Sequence, residues 1–439
     1  AIHKFTNADA VVLGTRNGKT DDTKNKVYEM TVDETKEQIK SCPSEFFWII
    51  NIEKLRCKEK EEKSGTKLVD YLNVLIDEGE LGMVIIDEIH ACKNPEASQS
   101  KQLQRIKNDA IKVGMSGTLV VNNPLNLYVP MQTVGLISDN YYVFKKKYTI
   151  KNEFNAVIGF QNMEQLQSVL HNSFLRRTKE EVAKDLPPVI INNEILEMSS
   201  DEQRVWDELK GITFTDYIDK IDNPMHLMAV ITRMRQFTTH TELLSSKVCK
   251  STKFERLRDI LDEAKFNNEK VLVFCQFTQA IELAMEYFND YNPKKIIGGM
   301  GNKVMDIVRE HEECDGFSVV FAQTQTLGVG HSLPNTENVV FLSVLWDYAT
   351  FEQCYNRCHR IVSKKPVTVT NLIMKDTYDE HIYDLIYAKK AMGDIIVDMK
   401  ELDACKEYLS RLGMQFLAKK APKAAKLIDK DGNEMIFND

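Results

Sequence analysis

Val84-Ile85-Ile86-Asp87-Glu88-Ile89-His90 is an apolar run of strand length that ends abruptly in two adjacent carboxylates. The run reads as a buried strand. In open α/β sheets the carboxyl end of a strand faces the ligand crevice, so Asp87 and Glu88 fall where chemistry is done. One carboxylate there can hold Mg²⁺ through its water shell, and its neighbour can polarise the water that attacks a γ-phosphate. Solvated acids capping the next helix would look the same in isolation. The surrounding sequence has to decide between the two.

Working outward, Ala10-Val11-Val12-Leu13 and Phe46 to Asn51 are further strand-like runs, with amphipathic helical patterns between them and Met83 to Asp87. That alternation marks a parallel sheet with crossover helices. A second block repeats the style with Lys270 to Phe274, Phe317 to Ala322, Asn338 to Ser343 and Pro366 to Ile373. The economical reading is two α/β domains. Between Leu125 and Lys247 the patterns are longer, helical, aromatic and basic, broken by Leu186-Pro187-Pro188 and a strand-like Val189 to Met198. We expect a first domain over 1–190 with a helical insertion over about 125–185, a linker and helical protrusion over 191–247, a second domain over 248–400, and a C-terminal helix and weakly ordered tail over 401–439.

Two further motifs bear on Asp87 and Glu88. Val113-Gly114-Met115-Ser116-Gly117-Thr118 closes a short strand with small and hydroxylic residues. Such a turn can pass close to the carboxylates and link nucleotide state to a nucleic-acid groove. In Gln353-Cys354-Tyr355-Asn356-Arg357-Cys358-His359-Arg360-Ile361, the two arginines at i and i+3 are expected on one helical face. Planar guanidinium forks suit phosphate oxygens and can stabilise charge on a transferred phosphoryl group. Two arginines in one domain and two carboxylates in another make a composite site that works when domains close.

Composition removes several classes. At 439 residues the chain is long enough for more than one domain, and 43% hydrophobic with 28% charged residues is ordinary for globular chains. The longest apolar runs are strand-sized, too short to span a bilayer. Nine irregularly spaced cysteines point to free thiols in a reducing compartment, and Ala1 to Phe5 has no signal-peptide pattern. An intracellular protein, cytoplasmic or nuclear, is expected. A net charge of −8 weighs against an all-basic surface while leaving room for a local basic groove. Cys354-x-x-x-Cys358-His359 is one residue too long for a haem attachment motif and lacks a second ligand pair.

The order Asp87-Glu88-Ile89-His90, Ser116-Gly117-Thr118, Leu175-Arg176-Arg177-Thr178-Lys179, Val271 to Thr278 and Gln353 to Ile361 resembles the Swi/Snf-type ATPases of helicase superfamily two. The likeness runs from about Phe46 to Asp398, and Phe47 to Arg56, Leu175 to Lys179 with Leu186-Pro187-Pro188, and Lys270 to Thr278 are its most specific parts. It implies two RecA-like domains that clamp ATP·Mg²⁺ and step along double-stranded DNA, usually without separating strands. By match to the family's motifs, Asp87 coordinates Mg²⁺ and Glu88 activates water. Arg357 and Arg360 are the arginine fingers, with Gln353 at the nucleotide-facing start of their helix. From its own chemistry, His90 is a candidate contact to the nucleotide or the neighbouring domain, or else a hydrogen-bonded structural histidine. Ser116, Gly117, Thr118, Gln276, Thr278 and the Gly328-Val329-Gly330 turn couple the cleft to the DNA backbone, Gly330 on the nucleotide side. Arg176 and Arg177 are candidate phosphate contacts. Lys145-Lys146-Lys147 is another, or else a solvated charge run.

The chain also departs from the pattern. The family's Gly-rich phosphate loop ending in Gly-Lys-Thr lies farther upstream than the 86 residues that precede Asp87 allow. Gly14-Thr15-Arg16-Asn17-Gly18-Lys19-Thr20 has three residues between its glycines where the loop needs four, and Asp21 to Lys26 has no apolar face for the helix that should follow. We expect a surface turn there, with the phosphate loop upstream of Ala1 or lost. Leu327-Gly328-Val329-Gly330-His331-Ser332-Leu333, Trp346-Asp347-Tyr348 and Val362-Ser363 also differ from the usual motifs. A DExH-type RNA helicase and a catalytically silent DNA-binding scaffold are the rival readings.

Overall fold

Strand β1 (Ala10–Val12) runs into Gly14, whose φ of +77° lies in the left-handed region that glycine reaches without a Cβ clash. That reversal starts an antiparallel hairpin of β2 (Thr15–Lys19) with β3 (Asn25–Glu29). Thr31 then caps the helix Val32–Ser41 through a reciprocal box with Glu34. The helix returns the chain to β4 (Phe47–Ile49), which pairs parallel with β1 in the register Ala10 to Phe47. A second parallel pair joins β5 (Met83–Ile86) to β6 (Ile111–Gly114).

The computed structural model describes residues 8–19, 25–42, 46–56, 67–117, 124–153, 157–171, 173–207, 224–244, 250–301, 303–327, 331–345, 348–377, 379–380 and 382–383. They fall into two compact units that divide between Leu175 and Arg176. The expected C-terminal helix and tail over 401–439 lie outside the described residues. Among the described residues no helix is long and apolar enough to cross a membrane.

Three expectations for the first unit need correction. Thr15 to Lys19 is neither a surface turn nor a phosphate loop. A phosphate loop must lead from a strand into a helix N-terminus, and this stretch is extended and paired with Asn25–Glu29. Strand β5 is less buried than its composition suggests, since Ile86 is buried while Met83 and Ile85 are exposed, as are Ile111 and Val113 beside them. The insertion is not wholly helical. Helices Tyr128–Thr133, Tyr141–Tyr148 and Met163–His171 carry between them an antiparallel pair, β7 (Thr149–Lys151) with β8 (Val157–Phe160).

The second unit is a six-stranded parallel sheet. Its strands are β9 (Val189–Leu196), β10 (Lys270–Cys275), β11 (Lys294–Ile296), β12 (Ser318–Gln323), β13 (Asn338–Phe341) and β14 (Val367–Met374). They lie in the order β11-β12-β10-β13-β14-β9. Every residue of central β10 is buried. Leu272 and Phe274 face one core with the helices Lys303–Glu313 and Tyr348–Tyr355, and Val271, Val273 and Cys275 face the other with Thr252–Phe266 and Thr278–Tyr287. Period-two alternation thus feeds two apolar layers, as a parallel sheet covered on both faces requires.

Strand β9, split in the sequence reading between the first domain and a linker, is the edge of this sheet. It pairs with β14 over eight residues, from Val189 with Val367 to Leu196 with Met374. Arg256 holds the edge by a two-pronged ion pair to Glu194, at 2.6 and 2.9 Å.

A buried polar knot lies just past the carboxyl ends of β13 and β14. Lys253 Nζ, fully buried, donates to Asp379 Oδ2 at 2.6 Å and to the Leu342 carbonyl at 2.8 Å. Asp379 also accepts from the Thr238 hydroxyl at 2.9 Å. Removing one member of such a pair leaves a buried charge without its partner, at a cost of about 3–5 kcal/mol. Lys253→Met is therefore expected to lower the stability of the second unit by about that amount, read as the shift in its urea unfolding midpoint. A loss below about 1 kcal/mol would show that Asp379 is satisfied without the ammonium.

Candidate functional site

The sheet places Asp87 and Glu88 at the carboxyl end of β5, both exposed. What fixes them is the residue after them. Ile89 is buried, its N–H donates to the Met115 carbonyl at 3.0 Å, and Met115 N–H donates to the Ile86 carbonyl at 2.8 Å. The turns after β5 and β6 are thereby stitched together. Gly114 makes the close approach possible, because a Cβ there would lie 2.8 Å from Ile89 Cδ1.

Glu88 adopts φ 47° and ψ 46°, a left-handed conformation that costs a side-chain-bearing residue about 1–2 kcal/mol. Asp87 Oδ1 accepts the Glu88 N–H at 2.9 Å. The Glu88 carboxylate then meets His90 Nδ1 at 3.1 Å, and the same nitrogen lies 2.8 Å from Ser116 Oγ. An ionised carboxylate only accepts, so the imidazole proton sits on Nδ1 and is shared between Glu88 and Ser116. Asp87, Glu88, His90 and Ser116 form one cluster within the first unit. Gly117 is exposed beside them with open space around its Cα, and Thr118 lies outside the described residues.

Among the described residues no group of three or more His, Cys, Asp or Glu side chains could hold a metal. A single exposed carboxylate fits Mg²⁺ all the same, because that ion keeps several waters and takes the rest of its shell from substrate phosphates.

In the second unit, Gln353 lies half-buried in the helix Tyr348–Tyr355. The helix ends at Tyr355, so Arg357 and Arg360 follow it in a tight turn instead of lying on a helical face as the i, i+3 spacing suggested. Three-residue hydrogen bonds replace the helical ladder, from Arg357 N–H to the Cys354 carbonyl at 3.1 Å and from Cys358 N–H to that of Tyr355 at 2.9 Å. Cys354 and Cys358 are fully buried, and burial pushes the Cys358 thiol well above its usual range. They pack the turn from inside. Ser363 closes it, its hydroxyl accepting the Arg360 N–H at 2.9 Å and donating to the Cys358 carbonyl at 2.6 Å. Among the described residues, the buried Nε of Arg360 meets no acceptor.

Other predicted residues have more local roles. Arg177 is exposed, and its guanidinium donates to the Arg176 carbonyl at 3.0 Å. Lys145, Lys146 and Lys147 occupy the last turn of Tyr141–Tyr148, where cations offset the helix dipole. Thr278 opens its helix in an exposed position, but the Gln276 side-chain oxygen is taken by Arg235. Gly328 and Gly330 lie outside the described residues.

Sequence reasoning missed Arg235 and assigned no role to Lys179, the last residue of the Leu175 to Lys179 motif. Arg235 is buried, reaching the Val344 carbonyl at 2.8 Å as well as Gln276. Lys179 donates to Asn356 Oδ1 at 2.6 Å and the His359 carbonyl at 2.9 Å. Both partners are remote in sequence, and neither motif spacing nor periodicity carries that information.

Comparison with known proteins gives the family. A family model described as the SNF2-related domain matches residues 25–253, and one described as the helicase conserved C-terminal domain matches residues 252–362. The chain is 25% identical over 312 residues to an uncharacterized ATP-dependent helicase of Mycoplasma genitalium, covering 68% of this chain and 29% of that protein. It is 26% identical over 341 residues to the human SWI/SNF-related matrix-associated actin-dependent regulator of chromatin subfamily A member 1, covering 73% of this chain and 32% of that protein. It thus spans about a third of the length of these relatives. A Sulfolobus solfataricus SWI2/SNF2 ATPase core solved in complex with dsDNA aligns at 20% identity over 95% of this chain and 82% of that one, with a TM-score of 0.41. Since the first of the two family models spans more than half of its residues, the chain belongs to the SNF2-related family.

Proposed function

We propose that the chain is the motor core of an ATP-dependent enzyme that moves on double-stranded DNA and remodels DNA or protein–DNA complexes. The observation that carries this reading is the Glu88–His90–Ser116 link. A carboxylate suited to polarising water is joined through one shared proton to the turn expected at the nucleic-acid groove. In this reading Asp87 holds the hydrated Mg²⁺ of ATP, which supplies charge neutralisation at the phosphates. Glu88 orients the attacking water and accepts its proton, with His90 fixing the carboxylate. Arg357 and Arg360 supply the guanidiniums for the transferred phosphoryl group, and the unspent Nε of Arg360 leaves donor capacity for an anion.

The choice of DNA over RNA draws on the relatives, one of which is named as a regulator of chromatin. The test is ATP hydrolysis by the full-length protein with linear duplex DNA, single-stranded DNA or RNA. Duplex DNA is expected to stimulate hydrolysis most. Stronger stimulation by RNA makes the protein an RNA helicase, and DNA binding without hydrolysis makes it a silent scaffold.

A further inference from the structure

We propose that Lys179 is a positioning residue for the arginine turn, through which the start of the second unit sets the geometry of Arg357 and Arg360. The inference rests on the ATPase reading above. Lys179 is the fourth residue past the point where the chain passes from one unit to the other. Its ammonium makes two hydrogen bonds, to Asn356 Oδ1 at 2.6 Å and to the His359 carbonyl at 2.9 Å. Asn356 immediately precedes Arg357, and His359 immediately precedes Arg360. One cation thus grips the residue before each guanidinium, and its two contacts fix the pitch of the five-residue turn that carries them.

The rest of the same segment reinforces the grip. Thr178 caps the short helix Lys179–Val182 through a reciprocal box with Glu181, which holds Lys179 at the first helical position. Farther on, the Pro187 carbonyl accepts a hydrogen bond from His359 Nε2 at 2.7 Å. A carbonyl cannot donate, so that nitrogen carries the proton. His359 is buried, and the segment from Thr178 to Pro187 brackets the turn from both ends. Lys179 is therefore not a spare phosphate contact beside Arg176 and Arg177. The start of the second unit thus reaches the two arginines through two hydrogen bonds.

The experiment is steady-state hydrolysis by the full-length protein, with duplex DNA affinity measured over a range of salt. Misplacing a catalytic group by an ångström costs up to about a hundredfold, and Lys179→Met is expected to lower kcat about tenfold or more. KM for ATP, duplex affinity and its salt dependence should stay near wild type. Lys179→Arg, which keeps a donor within reach of both acceptors, should recover most of the rate. In an Arg360→Ala background, Lys179→Met should cost almost nothing more, because the group it positions is already gone. Should Lys179→Met not fold, Asn356→Ala removes one of the two acceptors and should show a smaller loss of the same kind. Weakened duplex binding with a shallower salt slope would overturn the proposal by making Lys179 a phosphate contact. A full additional loss in the Arg360→Ala background would overturn it by making Lys179 a general brace. A wild-type protein without duplex-stimulated hydrolysis defeats the ATPase reading itself, and the inference with it.

Discussion

Glu88→Gln is expected to lower the duplex-stimulated ATPase rate of the full-length protein by about a thousandfold, within the range a positioned general base contributes. The substitution isolates the chemistry. Gln keeps the length of Glu and an oxygen that can accept from His90 Nδ1, so the cluster with Ser116 survives. What it loses is the negative charge that polarises water. ATP and duplex affinities should change little, and single-turnover hydrolysis separates the chemical step from binding. A variant retaining more than about a tenth of the wild-type rate would remove Glu88 from the base role.

Arg360→Ala should reduce the same rate by a similar or larger factor, since an arginine that stabilises the transferred phosphoryl group is worth about 10³–10⁵. Stability gives an independent check. The Arg360 Nε is buried without an acceptor, and the turn is held by Ser363 and the packed thiols, none of which needs the guanidinium. The variant should unfold close to wild type while its hydrolysis collapses. Arg360→Lys should recover little, because an ammonium restores charge without the planar fork. A marked fall in stability with hydrolysis largely intact would make Arg360 a scaffold residue.

Much of the first site was legible because its signals are local. A strand ending in Asp87-Glu88, and a second ending in Gly114 to Gly117, announce two strand ends whose turns must approach each other. The structure stitches them through Ile89 and Met115. The second sheet was legible for a related reason, since β10, β12 and β13 carry continuous apolar runs bounded by polar residues. Strand β9 was legible as a strand but not as part of this sheet, because its two asparagines and alternating exposure suit an edge and its partner β14 lies far along the chain. The hairpin at Thr15 to Lys19 escaped notice because its pairing, not its composition, makes it a strand. For the arginine turn, i, i+3 spacing names a shared helical face only while the helix lasts, and this one stops at Tyr355. The contacts of Arg235 and Lys179 lie outside any local reading, even though Lys179 closes a recognised motif, since their partners are 41 and 177 residues away.

If Glu88 is the base proposed above, its left-handed backbone sets the chain's durability against its activity at a single residue. Glycine, or asparagine to a lesser degree, would occupy that conformation with less strain, and neither can polarise water. A library of variants sorted only for heat resistance is then expected to drift away from glutamate at position 88, and the proposed role predicts that its sturdier members hydrolyse ATP poorly.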